Sequence, residues 1–130
     1  MYLVDTSVWI RHFSKKDEFD LRSVCEPHER VLCLPIYQEL LQGIRDEGAF
    51  RRMQNILNAA VIVDDPMERA IYDHAVSLYR FARRQGLTVR ASVDCLIAAS
   101  AIRHRLTVLH ADRGFPALAS VSELQQQQAQ

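Results

Sequence analysis

Along the chain, short apolar runs alternate with segments whose apolar residues recur every three or four positions. Tyr2-Leu3-Val4 is apolar and stops at Asp5, the pattern of a buried strand that delivers an acid at its end. Val8, Trp9, Ile10 and Phe13 follow at helical spacing, and the polar stretch from Ser14 to Asp20 reads as an exposed loop. Val31-Leu32-Cys33-Leu34 is a second strand, closed by Pro35, which cannot donate a ladder hydrogen bond but suits a helix start. Two helices are expected next, one on Ile36, Leu40, Leu41 and Ile44, the other on Phe50, Met53, Ile56 and Leu57. Val61-Ile62-Val63 is a third strand, and Asp64-Asp65-Pro66 a turn and helix start. The long helix that follows carries Ile71, Ala75, Leu78, Tyr79 and Ala82 on one face and ends at Gly86. Ser92 is the expected N-cap of a helix with Val93, Leu96, Ile97 and Ala101 inward. Thr107-Val108-Leu109 is a fourth strand, and Val121 closes a short fifth one. The Gln-rich segment 125–130 reads as a flexible tail on a single domain, 1–124.

Strands alternating with helices predict an α/β fold, three layers deep, around a mostly parallel sheet. In such sheets ligands bind beyond the carboxyl ends of the strands. Asp5 ends the first strand and Asp112 lies just past the fourth, so both are expected to face one crevice.

Composition narrows the class without naming a function. A chain of 130 residues, 48% apolar and 25% charged, is the size and make-up of one soluble domain. No apolar run approaches the ~20 residues of a membrane helix, and no export segment opens the chain, so cytoplasmic residence is expected. Cys25, Cys33 and Cys95 form no CxxC pair and read as reduced, partly buried thiols rather than a zinc site or disulfide framework. Sixteen basic residues balance sixteen acidic ones, which does not favour a general nucleic-acid coat protein but leaves room for a basic rim around an acidic centre.

Four acids adjoin apolar elements, where an unpaired carboxylate is expensive to bury: Asp5, Glu39, Asp94 and Asp112. Each has a plain structural explanation. Asp5 can cap the helix containing Trp9, Asp94 can complement a helix N-terminus, Asp112 can start a turn with Arg113 and Gly114, and Glu39 can be solvated. If they converge, two carboxylates ~4 Å apart repel by ~4 kcal/mol at an effective dielectric near 20. Protons or a divalent cation must then offset the repulsion. A site of carboxylates without His or Cys suits Mg²⁺ or Mn²⁺ better than Zn²⁺.

Four motifs in order resemble those of the PIN-domain family. They are Val4-Asp5-Thr6-Ser7-Val8-Trp9-Ile10, Leu34-Pro35-Ile36-Tyr37-Gln38-Glu39-Leu40, Ser92-Val93-Asp94-Cys95-Leu96-Ile97-Ala98-Ala99 and Leu109-His110-Ala111-Asp112-Arg113-Gly114-Phe115. The resemblance spans Leu3 to about Leu118. It implies an α/β/α sandwich and a Mg²⁺- or Mn²⁺-dependent ribonuclease. Asp5, Asp94 and Asp112 would hold the metal, Glu39 would position or help deprotonate the attacking water, and Thr6 or Ser7 would hydrogen-bond within the site. A free-standing domain of this size resembles a VapC-type toxin, which implies a homodimer and a VapB-type antitoxin as partner. Arg11, Arg45 and Arg113 are candidates for holding the RNA backbone. One departure is Gly114, where many relatives carry a further acid, and it places a two-metal mechanism in question.

Three rival functions compete. An aspartate-based phosphatase also begins with a strand-end Asp but wants a second Asp two residues on, where Ser7 stands. A signalling receiver domain wants a Lys near its site, and none follows Lys16. A non-catalytic binding module of the same fold remains the third reading, since fold does not fix function.

Overall fold

The computed structural model describes residues 1–129. Five strands form one sheet: β1 (Tyr2–Val4), β2 (Arg30–Cys33), β3 (Val61–Val63), β4 (Thr107–His110) and β5 (Gln125–Gln128). Their spatial order is β3-β2-β1-β4-β5, and every neighbouring pair is parallel. Six α-helices connect them: α1 (Thr6–Phe13), α2 (Leu34–Gln42), α3 (Glu47–Asn58), α4 (Arg69–Arg84), α5 (Ser92–His104) and α6 (Gly114–Ala119).

Consecutive residues of the central strands are buried: Leu3 and Val4, Val31 to Cys33, Val108 to His110. Successive strand residues point to opposite faces, so both faces of the sheet are covered, as parallel sheets require. This is the expected α/β sandwich. No helix among the described residues is long and apolar enough to cross a membrane.

The Gln-rich tail is a correction. Gln125–Gln128 is part of the sheet and pairs along β4, Thr107 with Gln125 through His110 with Gln128. Ladder hydrogen bonds use backbone groups, and an edge strand needs no apolar side chains on its outer side. Gln126 is half-buried, and Ala129 behind it is buried and donates its N–H to the His110 carbonyl at 2.7 Å. Position 130, the end of the expected tail, lies outside the described residues. Val121 consequently sits in the turn after α6, not in the fifth strand, and α6 itself went unforeseen.

Two helix boundaries also moved. Ser92 is the first residue of α5, with Ala91 at the cap position, so its hydroxyl caps nothing. Helix α4 starts at Arg69, with Glu68 at the cap position, not at Pro66, and Asp64 turns the chain ahead of it at φ 53°. The Asp64 carboxylate accepts the Ser100 hydroxyl at 2.8 Å and lies 3.1 Å from His104 Nε2, which fastens the end of β3 to α5. Gly86, at φ 77°, ends α4 as expected. Its N–H reaches the Arg83 carbonyl and the Leu87 N–H reaches that of Ala82, the double hydrogen bond of a left-handed helix stop.

Candidate active site

The carboxyl end of β1 delivers Asp5 into the turn that starts α1. Its backbone N–H continues the ladder to the Leu109 carbonyl at 2.9 Å, while its Oδ2 accepts the Ser7 N–H at 3.1 Å and the Ser7 hydroxyl at 2.5 Å. The capping role and the placement of a carboxylate at the sheet's end therefore coincide in one residue. Asp5 is buried, and burial pushes its carboxyl above the usual range; the Ser7 hydrogen bonds oppose this and the charge of Asp112 adds to it.

Ser7 does a second job. Its Oγ accepts the Ala111 N–H at 3.0 Å, so one hydroxyl ties Asp5 to the loop that presents Asp112. In that loop the Asp112 Oδ1 accepts the Gly114 N–H at 2.9 Å, the turn expected of Asp112, Arg113 and Gly114. Thr6 turns the other way and donates its hydroxyl to Glu39 Oε1 at 3.0 Å. Glu39 stands exposed on α2, after a strand–Pro junction in which Leu34 and Pro35 occupy the first two helical positions.

Asp94 occupies the first turn of α5 and is only 8% exposed. Burial and the charges of Asp112, Asp5 and Glu39 push its carboxyl up to about 7. Among the described residues no N–H or O–H donates to it. A buried carboxylate surrounded by three others and held by no donor is costly in its charged form.

The structure thus brings together Asp5, Glu39, Asp94 and Asp112, with Thr6 and Ser7 between them. It does not bring Arg11 to them as a free cation. Arg11 Nε pairs with Asp17 at 2.9 Å, its guanidinium lies 4.5 Å over the Phe19 ring, and Nη1 donates to the Ala129 carbonyl. Arg45 is exposed in the α2–α3 loop, and Arg113 is exposed beside Asp112. The three cysteines are free and buried, and burial pushes the Cys33 thiol to about 12, which leaves it an inert core group.

Two site residues escaped the sequence reading as supports. His110 is fully buried; its Nδ1 accepts the Asp112 N–H at 3.1 Å and its Nε2 lies 2.6 Å from Gln126 Oε1. That pairing fixes the tautomer with hydrogen on Nε2, and it hangs the Asp112 loop from β5. A His at the end of an otherwise apolar strand was the available signal. Gly114 is the second. A Cβ there would stand 2.8 Å from Asp94 Oδ2 and 3.6 Å from Asp112 Oδ1. At the departure from the family pattern, any side chain would therefore press on the Asp94 carboxylate.

The donor set fits a hard divalent cation. Among the described residues no three side chains already form a finished cation cage, but Mg²⁺ binds through one or two carboxylates and keeps several waters. The undonated Asp94 carboxylate, with Asp5 and Asp112 raising or raised by its neighbours, is the chemistry such an ion relieves.

Replacing Ser7 by Ala removes the hydroxyl on Asp5 and the acceptor of the Ala111 N–H together. We expect activity at the site to fall by about 10- to 100-fold, in line with losing a hydrogen-bond partner of a site carboxylate, with Thr in its place retaining more. Steady-state rates of the two variants check this; an Ala variant at full activity would show that the Ser7 backbone N–H holds Asp5 without help from the hydroxyl.

Residues 2–121 match the PIN domain family. The chain is 36% identical over 132 residues to Ribonuclease VapC11 of Mycobacterium tuberculosis, an alignment covering 96% of each chain. Its fold is similar to that in the FitAB complex bound to an IR36 DNA fragment, with a TM-score of 0.78 and 17% identity over 98% of this chain and 94% of that one. It is likewise similar to that in the VapBC-1 structure from nontypeable Haemophilus influenzae, with a TM-score of 0.73 and 19% identity over 98% and 96% of the two chains. Motif order, sheet topology and near full-length similarity agree, and the chain belongs to the PIN domain family, alongside the VapC ribonucleases.

Proposed function

We propose that this chain is a Mg²⁺- or Mn²⁺-dependent endoribonuclease and the toxin of a VapBC-type pair, acting in the cytoplasm. The observation that carries the reading is Asp94: a carboxylate 8% exposed, given no hydrogen-bond donor, and set among Asp5, Glu39 and Asp112. A protein without use for a cation gains nothing from that arrangement. The relatives supply the substrate class, since those similar over nearly the whole chain are named ribonucleases.

In this reading Asp5, Asp94 and Asp112 hold the cation, which when bound supplies positive charge to the scissile phosphate and lowers the pKa of water. The rest is done by the chain. Ser7 keeps Asp5 and the Asp112 loop at fixed separation, and His110 fixes the backbone of Asp112. Glu39, the exposed acid to which Thr6 donates, positions the attacking water or helps deprotonate it. Gly114 carries no Cβ that would press on the Asp94 carboxylate.

The reading also includes a VapB-like antitoxin, in keeping with solved neighbours that are toxin–antitoxin complexes, and a second copy of the chain. Among the aromatic residues of the helices, Phe13 and Tyr79 are exposed and Phe50 is half-buried against the core. Tyr72 and Val76 on α4, 50% and 57% exposed, add an apolar strip that a second copy can pack against by two-fold symmetry. Solution molar mass tests the pairing.

Purified protein incubated with total bacterial RNA tests the activity: discrete cleavage with Mn²⁺ and none with EDTA is expected. A folded protein that neither cuts RNA nor binds Mn²⁺ would return the fold to the binding-module reading. The pH dependence of binding is a further expectation. A cation needs the charged form of Asp94, whose carboxyl titrates near pH 7, so affinity for Mn²⁺ should rise by about tenfold per pH unit below that point and level off above it. Calorimetry in buffers of different ionisation enthalpy should show about one proton released per ion bound at pH 6 and almost none at pH 8.5. Proton release that does not change with pH would place Asp94 outside the binding set.

A further inference from the structure

The RNA backbone needs a cationic surface, and of the arginines singled out in the sequence Arg11 is taken up by Asp17 and Phe19, while Arg45 and Arg113 are single exposed cations. The charge distribution points elsewhere. From His74 to Val93 the chain carries Arg80, Arg83, Arg84 and Arg90 and no acid at all, in a protein that has sixteen basic and sixteen acidic residues in total. All four arginines are exposed, and among the described residues none pairs with an acid.

Arg80, Arg83 and Arg84 stand three and four positions apart on α4, so they share one face and repel each other. The same stripe is apolar at Tyr72 and Val76 and turns basic from Arg80 onward. Val76, Tyr79, Arg80, Arg83 and Arg84 line a shallow hollow, and Tyr79 and Arg83 border a second one with Leu87, Thr88 and Val89. From Val89 the chain passes through Arg90 to Ala91, the cap of α5, and reaches Asp94 within the first helical turn. Arg80 and Ser92 share the wall of a third groove, so the basic face abuts the start of that helix.

Resting on the ribonuclease reading above, we propose that Arg80, Arg83, Arg84 and Arg90 form the surface that holds the phosphates of a single-stranded RNA as it enters the acidic site. Guanidinium groups on one helix face offset their mutual repulsion by binding a polyanion, and they do so without reading sequence. The aromatic ring of Tyr79 among them offers a face on which a base can stack.

The test measures binding apart from cleavage, using Asp94→Asn protein and a labelled single-stranded oligoribonucleotide over a range of salt. Adding Arg83→Ala and Arg84→Ala should weaken binding by about tenfold. It should also lower the slope of log K against log salt by about 1.4, the loss of two single-strand phosphate contacts. The Lys versions of both residues should keep the slope, and Arg51→Ala with Arg52→Ala on α3 should change neither quantity. Unchanged affinity and slope in the Arg83/Arg84 variant would overturn the proposal. So would a loss of solution molar mass with RNA binding intact, which would make the patch a protein contact. If the unaltered chain cuts RNA while binding ignores these arginines, only this surface falls; if it neither cuts nor binds RNA, the ribonuclease reading falls first.

Discussion

Replacing Asp94 by Asn should abolish RNA cleavage and, in the same protein, raise the thermal midpoint of the metal-free form at pH 7.5. The two effects have one cause. The Asp94 carboxyl titrates near 7 in the folded chain, against 3.8 for the free side chain, because it is buried among Asp112, Asp5 and Glu39. Between those two values the folded state holds a proton that the unfolded state has lost, so stability falls as pH rises from about 4 to about 7. Above pH 7 the folded protein carries the full cost of the charge. Full conversion of that difference would give ~4 kcal/mol, and solvent access to the side chain cuts it to about 2 kcal/mol. Asn removes the charge and keeps the shape, so the metal-free midpoint should rise by roughly 5–10 °C at pH 7.5 and by little at pH 4. Activity should drop by at least about 100-fold, the usual scale for losing one preorganised electrostatic group. Saturating Mn²⁺ should stabilise the unaltered protein more than the variant. A variant with a lowered midpoint, or one that still cleaves, would separate Asp94 from the strained centre assigned to it.

How much of this was legible in the sequence follows from what each signal depends on. The strands β1 to β4 and helices α1 to α5 were visible because burial on both sheet faces forces apolar runs, and one-sided helix burial forces a three-to-four periodicity. Strand β5 was not, since Gln125–Gln128 joins the sheet through backbone groups that any residue supplies. Helix α6 was hidden by its length, six residues with Pro116 among them. Among site residues, the acids were readable as misfits beside apolar elements. Their supports were less so. Ser7 was expected, with Thr6, to hydrogen-bond within the site, but its partner was not readable: its hydroxyl reaches 104 residues along the chain to Ala111. His110 was visible only as a polar residue closing an apolar strand, and its role in carrying Asp112 needs the position of Gln126, which the expected tail had removed from the fold. Arg11 looked available next to a motif and is held by Asp17, a pairing between a helix and a loop that spacing does not reveal.

The support under Asp112 also sets the second large effect, at Phe115. This side chain is fully buried on α6, and its ring lies 5.2 Å from the His110 ring at a 40° tilt. Replacing it by Ala leaves a cavity under the site loop and removes the surface against which His110 is packed. The expected loss is ~3–5 kcal/mol, a large share of the ~5–15 kcal/mol by which a domain of this kind is stable. Urea denaturation should show a lowered midpoint with an unchanged slope, the mark of lost native stability rather than an altered unfolded state. Leu at 115 refills part of the volume, so its stability cost should be smaller, below about 3 kcal/mol. The Leu variant then isolates the site effect. At a temperature where both are folded, it should bind Mn²⁺ more weakly than the unaltered protein, because the His110 ring that fixes the Asp112 N–H has lost its aromatic neighbour. Mn²⁺ affinity equal to that of the unaltered protein would mean that Gln126 and the Asp112 N–H hold His110 unaided, and that Phe115 serves the core alone.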